Sequence, residues 1–150
     1  MSKVNYIQES GAAVSLIQLQ RYLLLSHREQ RQHADEAYLT QFVERFLCRD
    51  HQVWWAIASE NPDPAGCLWL GYTVDADSGD RHPYLFLLHV LPLHRRRGVG
   101  KTLIQRAETW AKQQGYPKLS LHVFCQNEGA QQFYRQLGYG PQSILMAKNI

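Results

Sequence analysis

The stretch YLFLLHVLPLHRRRGVGKT at residues 84–102 constrains the fold more than any other part of the chain. Its almost unbroken apolar start reads as a strand, which Pro92 and the polar HRRRG bring to an end. Val99, Leu103, Ile104, Ala107, Trp110 and Ala111 then recur on one face of a helix, and Gly115 and Pro117 stop it. Strand, glycine turn and helix N-terminus in that order aim free backbone N–H groups and the positive end of a helix dipole at an anion, and glycines let it approach closely.

What the anion belongs to is a separate question. The letters GVGKT match the tail of the nucleotide-binding GxxxxGK[ST] loop, but its first glycine falls at position 95, where Arg95 stands. A bulky cation does not readily follow the tight backbone path that a glycine starts there. The next apolar run, LSLHVF at residues 119–124, also lacks a terminal acid to hold magnesium. Hydrolysis of a nucleoside triphosphate is disfavoured. Taken alone, the loop fits either another phosphate ligand or a structural turn with solvated arginines.

The rest of the chain supplies the surrounding elements. Residues 4–8 read as a first strand, and residues 12–28 and 34–47 as two amphipathic helices. QVWWAIAS (52–59) and CLWLGYTV (67–74) read as a hairpin around NPDPAG, with residues 84–91 as a third strand. After the glycine-loop helix, residues 119–124 read as another strand. Ala130, Phe133, Tyr134 and Leu137 form a helical stripe ending at Gly138, and SILMA (143–147) reads as a closing strand. The order β α α β β β α β α β predicts an α/β fold, a mixed sheet with helices on its faces, in one domain over residues 1–150.

At 150 residues, 45% of them hydrophobic, the chain holds material for one core rather than two. There are 16 Lys and Arg against 13 Asp and Glu, and four of the cations are Arg95, Arg96, Arg97 and Lys101. The basic excess is local, which suits a small polyanion better than a nucleic-acid duplex, and no groove-reading motif accompanies it. Cys48, Cys67 and Cys125 show neither CxxC nor zinc-ligand spacing, and no HExxH occurs. No metal and a reduced, cytoplasmic compartment are expected. With no signal-peptide core and no apolar run of about 18 residues, a soluble, unprocessed protein without a membrane partner is expected.

Two ordered motifs narrow the ligand. Arg95-x-x-Gly98-x-Gly100, preceded by Leu88-x-Val90-x-Pro92, resembles the RxxGxG acetyl-coenzyme A loop of the GCN5-related N-acetyltransferases, the GNAT family. Farther on, NEGAQQFYRQLGY at residues 127–139 resembles the family's NxxAxxFYxxxGF signature, with Tyr139 as the final aromatic. The likeness covers residues 88–150 and implies a GNAT-like fold with acetyl-CoA as cosubstrate. It further implies that the backbone of Leu88 and Val90 bonds pantetheine as an added strand would. The amides of Arg95, Arg96, Arg97, Gly98, Val99, Gly100 and Lys101 would surround the pyrophosphate, with Arg96 or Arg97 reaching phosphate as well. Asn127 would touch the cofactor arm, and Tyr134 would lie near the sulfur.

The implied reaction is direct attack of a primary amine, on a small molecule or a peptide, upon the thioester in a ternary complex. Catalysis would rest on positioning and on an oxyanion contact, for which the Val90 N–H is the candidate. Tyr134 is the candidate general acid for a departing thiolate of cysteine-like pKa, about 8.5, although it also belongs to an apolar helix stripe. The base stays unassigned, because residues 84–88 carry no carboxylate where many relatives have one. Deprotonating a lysine-like amine at pH 7 costs about 4.6 kcal/mol and an α-amine about 1 kcal/mol, so either a relay takes the proton or the acceptor loses it easily.

His89, His122, Glu60 and Asp75 are the relay candidates, beside the plainer reading of both histidines as packed or surface residues. Cys125 fits a small buried residue better than a nucleophile. Trp54, Trp55, Trp69 and Tyr72 fit the core at least as well as an acceptor pocket. A non-catalytic acyl-CoA sensor and a basic nucleic-acid-binding module are the alternatives from other classes, and a homodimer is left open.

Overall fold

Strands between residues 52 and 90 carry apolar side chains on both faces, and helices before and after them supply the two covers. In the computed structural model, which describes residues 3–31 and 35–150, β1 (Val4–Ser10), β2 (Gln52–Ala58), β3 (Gly66–Val74) and β4 (Arg81–Val90) form one antiparallel sheet in that order. Trp54 and Trp55, adjacent in β2, fall into cores on opposite faces, as strand alternation requires. Trp55, Cys67, Trp69 and Leu87 pack under α1 (Leu16–Gln30) and α2 (Glu36–Phe46) through Leu19, Tyr22, Leu23, Leu39 and Val43. On the other face Trp54, Leu68, Leu70 and Leu85 meet Val99, Leu103, Ile104 and Ala107 of α3 (Val99–Gln113). Phe133 and Tyr134 of α4 (Glu128–Gln136) join the margin of this second core. Burying side chains of this size contributes about 1.5–3 kcal/mol each, so both covers are held chiefly by packing.

Local signals set the helix ends. Ser15, Asp35 and Asn127 accept from the amides of Gln18, Tyr38 and Ala130, capping α1, α2 and α4. Helix α1 starts later than predicted because residues 11–13 form a separate tight turn, tied down by Gly11 N donating to His51 O at 2.8 Å. The predicted start of the second helix, Ala34, lies outside the described residues.

One irregularity in β4 positions the site. Trp69 pairs with Leu87 but Leu70 pairs with Leu85, so Phe86 is an extra residue in the ladder. Gly71 makes room for it: a β-carbon there would lie 2.3 Å from Phe86 Cε2 and 2.7 Å from His51 Cε1. Phe86 stacks on Trp69 and His51, with ring centroids 4.7 and 5.7 Å away. The bulge also changes which edge the backbone addresses. Leu85 N donates away from β3, to Ser120 O at 2.9 Å, whereas Leu91 N donates toward β3, to Ala65 O at 2.8 Å. Antiparallel alternation therefore turns the N–H and C=O of Leu88 and Val90 to the outer edge of β4.

Two predicted strands are not regular strands. In residues 119–124 only Ser120 is bridged, in parallel sense, to Tyr84, and Ser120 N donates to Pro83 O at 3.1 Å. The ladder stops there because the bulge at Phe86 breaks the hydrogen-bonding repeat of β4. SILMA at 143–147 joins no ladder, and Ile144, Leu145 and Met146 are exposed, since no described edge stands beside them. The expected mixed sheet is thus an antiparallel sheet with a single parallel bridge.

Candidate active site

Beyond Ser120 no described strand lies on the outer edge of β4, and Leu88 and Val90 present their main chain to that opening. Arg95 occupies the Val90 carbonyl: Nε donates to it at 2.9 Å, while Nη2 donates to both carboxylate oxygens of Glu29 at 2.6 and 2.7 Å. The Val90 N–H keeps facing the opening. Arg95 also uses its own amide, which donates to Pro92 O at 3.3 Å. Its side chain is therefore committed to Val90 and to the end of α1, a role for Glu29 that sequence reasoning missed.

The loop that follows curls through Arg96, with φ of 62°, and Gly98, with φ of 78°. Gly98 caps α3 in the left-handed conformation, where a side chain is strained. The first α-helical bond of α3 is Thr102 N to Gly98 O at 3.0 Å, so the amides of Val99, Gly100 and Lys101 have no acceptor within the helix. Gly100 packs toward Phe133 of α4 and Val90. Arg96, Arg97 and Lys101 are exposed around this helix end. Amides, helix dipole and three cations converge beside the open edge of β4.

Helix α4 forms the neighbouring wall. The Tyr134 ring packs against Phe133 and Tyr139, at centroid distances of 5.1 and 5.8 Å, and burial pushes its phenol above the ordinary value. Its hydroxyl has no hydrogen-bond partner among the described residues. Packing and proton donation are therefore compatible roles for one side chain. Asn127 spends its Oδ1 on the Ala130 amide, at 3.1 Å, as a helix cap. Tyr139 donates to Glu108 at 3.1 Å and ties α4 to α3.

On the opposite side of the opening, the Tyr84 hydroxyl lies 2.6 Å from His122 Nδ1, with the two rings edge to face. The pair spans the point where residues 119–124 leave β4. His82 Nε2 and Ser120 Oγ, 2.8 Å apart, brace it from behind. Tyr84 meets Phe86 edge-on at 5.0 Å, Phe42 of α2 approaches Phe86 at 6.0 Å, and the Arg31 guanidinium sits 4.2 Å over Phe124. Aromatic rings and the end of α1 thus wall this side of the opening. Burial raises the Tyr84 phenol as well. Tyr84 escaped sequence reasoning because pairing it with His122 requires the register of two strands.

Of the other relay candidates, Glu60 lies in the turn between β2 and β3, and His89 and Asp75 lie away from the opening. His89 is buried beneath α1, 6.2 Å from Tyr22, and burial lowers its pKa. Asp75 is ion-paired with Lys118 at the far hairpin, and the same lysine holds its carboxyl below the usual range. Cys125 is exposed rather than buried, since it lies beyond the bridge at Ser120 and no described strand covers it. Trp54, Trp55 and Trp69 are core residues, and Tyr72 lies under Arg81. Cys48, Asp50 and His51 bring a thiol, a carboxylate and an imidazole within 4.8 Å of one another. Asp50 pairs with Arg81, and His51 Nδ1 accepts from Trp69 Nε1 at 3.0 Å, which spends the lone pair a metal would use.

Comparison with known proteins agrees with this fold. The uncharacterized N-acetyltransferase YycN of Bacillus subtilis (strain 168) is 25% identical over 122 residues, 81% of this chain and 77% of its own. A putative acetyl transferase from Pyrococcus furiosus superposes with a TM-score of 0.78 at 22% identity, over 97% of this chain and all of the other. The aminoglycoside N-acetyltransferase AAC(6')-Iy, solved in complex with CoA, gives a TM-score of 0.73 at 19% identity, over 100% and 96% of the two chains. The family model for the acetyltransferase (GNAT) family matches residues 16–139, which takes in α1, the whole bulged edge, the glycine loop and α4. The chain belongs to the GNAT family of acetyltransferases, which transfer the acyl group of acetyl-CoA.

Proposed function

We propose that this chain is an N-acetyltransferase that moves the acetyl group of acetyl-CoA to a primary amine by direct attack in a ternary complex. The observation that carries the reading is the outward-facing main chain of Leu88 and Val90 beside the free amides of Val99, Gly100 and Lys101. One edge accepts an extended amide-bearing arm as a strand would, and the adjoining helix end accepts its phosphates. Arg96 and Arg97 add charge from the loop, and Asn127, whose Oδ1 caps α4, keeps its amide N–H groups for the same arm.

The amine nitrogen attacks the thioester carbonyl carbon, a C–N bond forms, and the C–S bond breaks. The Val90 N–H stabilises the developing oxyanion, with Arg95 fixing that peptide by its carbonyl. Tyr134 donates to the departing sulfur; its raised pKa keeps the hydrogen in place for that bond at every physiological pH. The proton lost by the amine passes to His122, directly or through one water. The role requires Nδ1–H to donate to the Tyr84 oxygen, which leaves the accepting lone pair on Nε2. The dyad replaces the carboxylate missing from residues 84–88.

Calorimetry against acetyl-CoA, ATP and duplex DNA separates the ligand classes, and thiol release across an amine panel separates enzyme from sensor. Saturable acetyl-CoA binding with turnover on at least one amine is expected. Folded protein that binds no acetyl-CoA contradicts the reading, and binding without turnover on any amine favours the sensor. His122→Gln is expected to lower kcat by about 10²–10⁴ with little change in acetyl-CoA KM.

A further inference from the structure

The acceptor side of the opening holds a cation that acetyl transfer leaves unused. Past the bridge at Ser120, Leu121 and Val123 are half-buried while His122 and Phe124 are exposed, the alternation of an extended chain. Leu119 and Leu121 join the core under α3, so His122 and Phe124 point to the opposite face, where Tyr84 meets the first and Arg31 the second. Arg31 ends α1, with its amide donating to His27 O at 2.9 Å. Its guanidinium leaves that helix end and lies 4.2 Å from the centre of the Phe124 ring. A guanidinium on a ring face spends none of its N–H groups, so the planar fork is kept for an oxyanion.

We propose, on the acetyltransferase reading above, that Arg31 selects the acceptor: the amine carries a carboxylate or phosphate on the same small molecule, gripped by Arg31 while the nitrogen lies at His122. The neighbouring acids do not compete for this cation. Glu29 is bound by Arg95, Glu36 pairs with Arg28, and Asp35 accepts from the Tyr38 amide as the cap of α2. Among the described residues no carboxylate pairs with Arg31. The spacing suits one small molecule, because residues two apart in an extended chain, as His122 and Phe124 are, stand about 7 Å from each other. Charge also works against the opposite class of acceptor. A second ammonium group would meet Arg31 with like charge, and neither residues 84–88 nor residues 119–124 include an acid to receive it.

The test uses the full-length chain, acetyl-CoA and matched acceptors: γ-aminobutyrate against its amide, phosphoethanolamine against ethanolamine, and putrescine as a dication. Each anionic member is expected to show a kcat/KM about 10- to 100-fold above its neutral match, with putrescine lowest. Arg31→Gln is expected to remove that preference by raising acceptor KM for the anionic members alone, with acetyl-CoA KM and the melting curve unchanged. Arg31→Lys, which keeps the charge without the fork, is expected to fall between the two. Equal or better turnover of the neutral amines or of putrescine overturns the inference and leaves acetyl transfer standing. A loss in Arg31→Gln that falls equally on every acceptor also overturns it, by showing that Arg31 only props Phe124. Acetyl-CoA binding without turnover of any amine overturns the acetyltransferase reading, and this inference with it.

Discussion

Arg95 holds Val90 by its carbonyl, with Nε 2.9 Å from the oxygen, and the same guanidinium is anchored on Glu29 of α1. The contact joins the glycine loop, the bulged strand and the first helix at one peptide. It leaves the Val90 N–H facing the opening, where a thioester oxygen would need it.

Because the Arg95–Glu29 pair is about two-fifths exposed on each side, its effect on stability is expected to stay below about 1 kcal/mol. Its effect on positioning is larger. Arg95→Ala and Glu29→Gln are each expected to lower kcat/KM about 10- to 100-fold while shifting the thermal midpoint by no more than a few degrees. Steady-state kinetics and a melting curve on the same samples check both halves.

Removing the Tyr134 hydroxyl tests the leaving-group contact. Tyr134→Phe keeps the ring that packs against Phe133 and Tyr139, so folding and acetyl-CoA affinity are expected to survive. Turnover is expected to fall about 10²-fold. Unchanged turnover would remove Tyr134 from the chemistry and leave it a packing residue.

Gly71 shows how the fold constrains the acceptor side. An added methyl would collide with Phe86 and His51, so Gly71→Ala is expected to destabilise by about 1–3 kcal/mol, visible as a lower denaturant midpoint. The displaced Phe86 would carry Tyr84 with it, and acceptor KM is expected to rise more than acetyl-CoA KM.

Stability is expected to be flat only within a window of pH. His51 and His89 are buried, and burial lowers both below their unfolded value of 6.5. The unfolded chain therefore binds protons first, and stability present above pH 6.5 is lost as pH falls below it. At the other end, burial raises Tyr22 and Tyr72 to about 12 from 10.0. The folded chain then keeps protons that the unfolded chain releases, and stability is lost as pH rises above 10. Urea midpoints measured across pH 4–11 should show a plateau flanked by two declines.

Much of this site was legible in the linear sequence, because its phosphate half is local. Gly98, Gly100 and the apolar stripe of α3 are neighbours along the chain, so periodicity and turn chemistry locate the helix end. The acceptor half is not local. Tyr84 and His122 meet only because a parallel bridge at Ser120 sets the register, and Phe86 faces α2 only because of a bulge opposite Trp69 and Leu70. Neither registers nor bulges follow from residue spacing. The two missing ladders, at residues 119–124 and 143–147, have the same origin: apolar runs announce strand material, whereas a strand also needs an available partner.

The most direct measurement is the response of the backbone amides to acetyl-CoA in an ¹⁵N–¹H spectrum of the folded chain. The expected result is saturable shifts concentrated at Leu88, Val90, Val99, Gly100 and Lys101. Saturable shifts confined to the far hairpin around Asp75 and Lys118, or none at any site, would contradict the placement of the acetyl donor on the open edge of β4.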